Sequence, residues 1–361
     1  MKIYFFSVFV FLLLLLCLNT VYASEPEESM PSPMYYLYSV DDLKAIEYQP
    51  EVDADFYLMN DIEITEETWK PIGSTHRPFR GIFHGNNYTI TFTKDTELLP
   101  SFGPESSING NGSGLFGNVY AGTISDLNIV LQGNLTSKSN YVGPLVGFVS
   151  GNNSSFRTPS SFILNCTVQS QNHTIYGKNN VGGLVGYLDN GGITSCFSDC
   201  SVKAEENNSG GLIGYASNSS ISDSSSSGVV EAGKSNGGGL IGYSKLNNNS
   251  NVSATGAVKS KEYAGGLVGY ISKTTIISDS SADGDVKPKG AFGNFIGGWD
   301  ENYKPTVSNC FYQETEVDLE PVPPLPYSIV CGKSYLLFYL AAGIGIILIA
   351  AAGIIYFKKR K

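Results

Sequence analysis

The chain has 361 residues, with 33 acidic against 23 basic side chains and a formal charge of −10. That balance argues against nucleic acid or an anionic lipid surface as a partner, because both are held by basic patches. Three histidines and six cysteines, with no H-E-x-x-H and no zinc-type spacing, are a poor inventory for metal chemistry, and no cofactor is expected.

The first 23 residues, MKIYFFSVFVFLLLLLCLNTVYA, carry one basic residue, Lys2, then an apolar run and small residues leading to Ala23. This is the layout of a secretory signal peptide cleaved after Ala23. Residues 24–34 read as a linker to an ectodomain spanning 35–312. Within it, SVDDLKAIEYQ at 39–49 predicts a short helix capped by Ser39 or Asp41. Such a helix would cover the open first coil of a solenoid.

Residues 35–110 form an opening coil, and from 111 to 312 one phrase recurs. It reads GSGLFG at Leu115, VGPLVGF at Leu145, VGGLVGY at Leu184, SGGLIGY at Leu212, GGGLIGY at Leu240, AGGLVGY at Leu267 and a decayed FGNFIGGW at Phe295. From Leu184 onward the steps are 28, 28, 27 and 28 residues. A period of that length, with Gly, Ser and Asn between short β-branched runs, marks a solenoid whose units cannot bury an apolar face alone. Each unit offers three strand candidates, for example 183–187, 193–197 and 201–204. The fold class is therefore all-β, a right-handed parallel β-helix of about eight coils stacked ~4.8 Å apart into a rod of roughly 40 Å. Leu184, Val185, Ile193 and Val202 are expected in its core or wall. The glycines are expected to supply positive φ at corners and close backbone approach. A helical repeat is excluded, since two to four glycines per unit would each cost ~1 kcal/mol inside a helix.

Beyond the repeats, residues 313–334 are acidic and proline-rich, a semi-rigid stalk. Residues 335–357 carry no charge over a length that spans a bilayer, and the basic tail 358–361 belongs on the cytoplasmic side. The expected protein is single-pass, with its ectodomain outside the cell.

The phrase Gly-Leu-(Val/Ile/Phe)-Gly, followed by an I-x-x-C/S segment, resembles the GLUG-motif repeats of bacterial and archaeal surface proteins. Residues 56–92, with Trp-x-Pro-Ile-Gly and Phe-x-Gly-x-Phe-x-Gly-Asn elements, resemble the segment that often precedes such repeats. His84 stands where that pattern has an Asp, and Pro144 replaces a repeat glycine. The resemblance implies a β-helical, adhesin-like surface protein and carries no activity.

Several patterns suggest sites. GVVEAGKS, at 228–235, fits the phosphate-loop spacing, but Gly228 aligns with Cys200, Gly256 and Gly284 as a repeat corner, and NGGGLIGY follows where a helix is required. No nucleotide is expected. Cys166, Cys196 and Cys310 share one slot, taken by Ser224, Val252 and Ser280 in other coils. Cys166 and Cys196 are candidates for a disulfide if their coils adjoin, since stacked Cα atoms lie within its ~4.4–6.8 Å range. Reduced thiols packed as small hydrophobes are the other reading, and Cys200 is a second candidate partner. Asp223, Asp279, Asp283 and Asp285 read as solvated surface carboxylates. Of eleven N-x-[ST] sequons in the exported part, those at Asn152, Asn172, Asn207 and Asn248 fall in loops and are the credible glycosylation sites. Asn165 is expected to be hard to reach.

These readings combine into a membrane-anchored cell-surface protein, not an enzyme, with a structural or adhesive role. Its partners would be glycans or other surface proteins bound along a β-helix face. The competing reading is a β-helix lyase or hydrolase whose carboxylates converge only on folding.

Overall fold

A computed structural model describes residues 32–48, 54–101, 112–151, 161–170, 172–288 and 292–312. The signal segment, the stalk, the apolar stretch 335–357 and the basic tail lie outside the described residues. Among the described ones, no helix is long and apolar enough to cross a membrane.

Short strands wind into a parallel β-solenoid of about eight coils, forming five sheets of ten, nine, eight, seven and seven strands, here sheets I to V. One coil runs through Val181–Gly182 in sheet IV, Val185–Asp189 in V, Gly191–Thr194 in I, Phe197–Ser198 in II and Ser201–Ala204 in III. Each strand pairs in parallel with its equivalents in the adjacent coils, so Ile193 lies between Ile163 and Ile221. Five strands per coil replace the three expected from sequence. A left-handed Ser195 (φ 56°) divides the run expected at 193–197, and a bend at 183–184 separates Val181–Gly182 from Val185–Asp189, while left-handed Asn190 (φ 51°) forms the corner between sheets V and I.

Asparagine and aspartate, not glycine, hold most of these corners. Asp126, Asn165, Asp223, Asn251, Asp279 and Asn309 all sit near φ 50° between sheets I and II, and Gly73 alone among the described glycines has a left-handed φ. Short Asx side chains tolerate this region because they bond locally. Here they bond between coils: Asn165 Nδ2 donates to Asp126 Oδ1 at 2.8 Å and Asn251 Nδ2 to Asp223 Oδ1 at 2.7 Å. The repeat glycines instead permit close approach. A Cβ on Gly183 would meet Ser198 Oγ at 2.4 Å across the lumen, and one on Gly214 would meet the Val181 backbone N at 2.6 Å.

The core is a set of columns running along the axis. The repeat leucines, from Leu115 to Leu267, are fully buried, as are Val185, Ile193 and Val202. Sheet I carries the inward column Phe83, Ile124, Ile163, Ile193, Ile221, Asn249 and Ile277. At the N-terminal end, Val40–Ala45 forms a helix with Ser39 as its N-cap and continues as a 3-10 turn, Ile46–Tyr48. Leu43 and Ile46 join the core and so cover the first coil. Asp42 accepts from Tyr38 N and Ser39 Oγ, both at 2.9 Å, and the Tyr38 backbone bond leads in holding its carboxyl below the usual range.

Asn249 breaks its column. It is fully buried, and neither side-chain polar atom has a hydrogen-bond partner in the protein. An unpartnered buried amide costs about 1–3 kcal/mol. Asn249→Ile, which restores the residue of the flanking coils, is therefore expected to raise the thermal midpoint, whereas Ile221→Asn one coil away lowers it. An unchanged midpoint for Asn249→Ile would contradict the assigned register.

Candidate functional site

Sheet III turns one file of side chains outward: Glu97, Thr136, Tyr176, Lys203, Glu231 and Lys259 in six successive coils. The alternate positions, such as Ile175 and Val202, are buried, as the two-residue period of a strand requires. At the following corner, backbone hydrogen bonds set Lys178, Glu206, Lys234 and Glu262 in a second file. Signs alternate along the corner file and from Lys203 to Lys259 in the first, where Lys287 then follows Lys259 with the same sign. Lys203 Nζ meets Glu231 Oε1 and Lys234 Nζ meets Glu206 Oε1, each at 3.1 Å. The bond from Lys234 leads in lowering the Glu206 pKa.

Where these files begin they border an open groove of about 660 Å³. Glu97, Thr136, Tyr176 and Lys203 reach it from sheet III, and Lys138, Lys178 and Glu205 from the corner. Four successive coils contribute, so the groove runs about 14 Å along the axis at ~4.8 Å per coil. Its lining offers cations, carboxylates, hydroxyls and one phenol ring, with Tyr176 39% exposed.

Sheet V carries a different outward file. Phe148, Tyr187, Tyr215 and Tyr243 stack face to face, with centroids 5.0, 4.6 and 4.7 Å apart and planes within 13°. Tyr270 extends the stack at 5.7 Å, and Tyr141 of sheet IV and Tyr263, just before a sheet IV strand, pack against it. Burial is the main cause of the raised phenol pKa values here, reinforced by the neighbouring rings and Asp189. Tyr187 rises furthest and Tyr215 is pushed up to about 12. Tyr187, Tyr215 and Tyr243 each have a ring of the file on either side, which makes this file a staple between coils.

The remaining sequence candidates are not drawn together. Cys166 and Cys196 do adjoin, with Cys166 N 3.5 Å from Cys196 Sγ, yet both thiols are free. Each turns to a carbonyl two residues back, Leu164 O and Thr194 O, at 3.3 Å. In-register stacking holds Cβ atoms near the coil spacing of ~4.8 Å, whereas a disulfide draws them to ~3.8 Å. Burial pushes the Cys166 thiol well up and Cys200 to about 12. Residues 230–232 of the phosphate-loop match form a sheet III strand and Lys234 is paired with Glu206, so the segment is wall and corner. A Cβ on Gly228 would lie 1.8 Å from Cys200 O, which explains the glycine. Asp223 and Asp279 accept from corner asparagines, and Asp283 and Asp285 are exposed elsewhere. His84 stacks on Tyr57 at 4.4 Å.

Among the sequons, Asn172 and Asn248 are exposed, while Asn207 is half-buried with its amide donating to Asn179 Oδ1. Contrary to the expected loops, Asn207 and Asn248 each open a strand, Asn207–Gly210 and Asn248–Ser250, because the coils pair in register there. Asn165 is exposed, contrary to expectation, because the left-handed corner turns it out. Asn152 lies outside the described residues. The groove residues were missed because the inserted loop after Leu145 hides the register between Thr136 and Tyr176. The signal available was the alternation of outward positions in consecutive third strands.

The GLUG motif family model matches residues 205–231 and 261–287, two coils of the stack. No curated protein matches the chain. Among solved structures the chain is similar to "a putative immunoglobulin A1 protease from Bacteroides ovatus", with 18% identity and a TM-score of 0.52 over 78% of this chain and 75% of that one. At that identity the likeness is one of fold.

Two measurements check this chemistry. Maleimide labelling below pH 9 is expected to leave Cys166, Cys196, Cys200 and Cys310 unmodified until denaturant is added, with no 166–196 cross-link in non-reducing peptide mapping. A phenol that ionises at 10.0 when free but near 12 in the native protein keeps its proton longer when folded. Stability should therefore be intact below pH 10 and fall as pH rises towards 12. Spectrophotometric titration with parallel melts tests the sign.

Proposed function

We propose that the chain is a cell-surface protein whose solenoid presents an outward sheet face to glycans or to other surface proteins. The signal segment 1–23 would direct export, and the apolar stretch 335–357 would anchor the chain with its short basic tail inside. Its role is structural or adhesive. A stiff stack of coils offers an extended, repeated surface and has no need of a deep cleft. The observation that carries this reading is the groove on sheet III, which is open, elongated across four coils and lined by polar side chains and one exposed ring. Such a shape suits a chain-like ligand lying along the axis.

The second reading is a β-helix lyase or hydrolase. Glu97 and Glu205 both line the groove, but they stand three coils apart, about 14 Å along the axis at ~4.8 Å per coil, wider than the ~5–9.5 Å at which two carboxylates act on one glycosidic bond. The two readings separate on turnover.

The full-length chain, expressed in a host that exports it, should be accessible to protease added to intact cells, and its basic tail only after permeabilisation. Purified in detergent, it should retain cells or glycans on a surface without shortening them. Recovery from the cytosol would overturn the surface reading. Release of shorter saccharides, abolished by Glu97→Gln or Glu205→Gln, would replace the adhesive role with the enzymatic one.

A further inference from the structure

We propose that the sheet III groove binds an uncharged glycan segment lying parallel to the solenoid axis and stacked on Tyr176, an assignment that rests on the surface-binding reading above. Three observations converge. The first is ring availability. In sheet V the tyrosine faces are consumed by one another at 4.6 and 4.7 Å. Tyr176 lies instead between Thr136 and Lys203 in its file, so no ring covers it from either neighbouring coil. A pyranose needs such a free aromatic face, because its axial C–H groups pack on the ring.

The second is charge. Lys138, Lys178 and Lys203 are matched by Glu97 and Glu205 in the groove and by Glu206 and Glu231 at its border. A polyanion would meet these carboxylates, and a polycation the lysines. A neutral polyol meets acceptors for its O–H groups and donors for its oxygens, supplemented by the exposed Thr136 hydroxyl.

The third is repeat length. Equivalent side chains recur every ~4.8 Å, close to the length of one pyranose in an extended chain. Successive sugars would thus meet successive coils, and four coils would take a segment of three or four units.

The test is isothermal titration of the full-length chain in detergent with cellohexaose, laminarihexaose, maltohexaose and mannohexaose, alongside heparin and polygalacturonate. At least one neutral probe is expected to bind, with an affinity that changes little between low and high salt. Tyr176→Ala should weaken it at least about five-fold, Tyr176→Phe should stay within about two-fold, and Lys178→Ala should also weaken it. Lys287→Ala, on the same sheet beyond the groove, should not. Absence of neutral binding, binding of the anionic probes alone, or full affinity in Tyr176→Ala and Lys178→Ala would overturn the assignment. Should Tyr176→Ala fail to fold, Lys178→Ala and the salt series decide. Glycan binding that survives every groove variant, or cell retention without any glycan binding, would sink this site and leave the surface-binding reading standing.

Discussion

Each side chain in this solenoid sits one coil spacing, ~4.8 Å, from its own equivalent, and that in-register stacking governs the rest of the molecule. A slot must suit a residue that meets itself or its counterpart above and below. Aliphatic slots meet this by forming columns such as Phe83, Ile124 and Ile163. Aromatic slots meet it by stacking rings, and amide slots by passing hydrogen bonds upward, as Asn180, Asn208 and Asn236 do at 2.7 Å per step. The charged corner slot meets it by alternating sign from Lys178 to Glu262.

The same constraint separates the two outward aromatic features. In sheet V the tyrosines are in consecutive coils, so stacking satisfies them and their surfaces are spent on cohesion. In sheet III the one exposed tyrosine is flanked by threonine and lysine, so its surface remains for a ligand. Self-stacking, and not exposure alone, distinguishes a staple from a binding surface.

Much of the architecture was legible in the sequence. The 28-residue period gave the parallel stack, and the phrase leucines marked the core, because a fully buried slot repeats the same residue. The corners were less legible. Glycine was expected to hold the left-handed positions, but Asx residues do so, and glycine is required where backbones or small side chains meet, as at Gly183 and Gly228. Three strands per coil became five because Ser195 reads as an ordinary polar residue until its φ is known, and because the bend at 183–184 falls inside the repeat phrase itself. The cysteine slot was placed correctly, but stacking distance alone did not reveal that the thiols turn to carbonyls. The groove was least legible, since its residues are ordinary outward charges whose meeting depends on a register that the loop after Leu145 conceals.

The alternating charges at the sheet III corner have a bearing on how such a rod can change length. Loss of the coil carrying Glu206 would set Lys178 beside Lys234, and loss of the coil carrying Glu231 and Lys234 would set Glu206 beside Glu262 and Lys203 beside Lys259. Loss of both together would keep opposite signs adjacent. Between Lys178 and Glu262, removing coils in pairs is therefore the change of length that leaves opposite charges in contact at this corner.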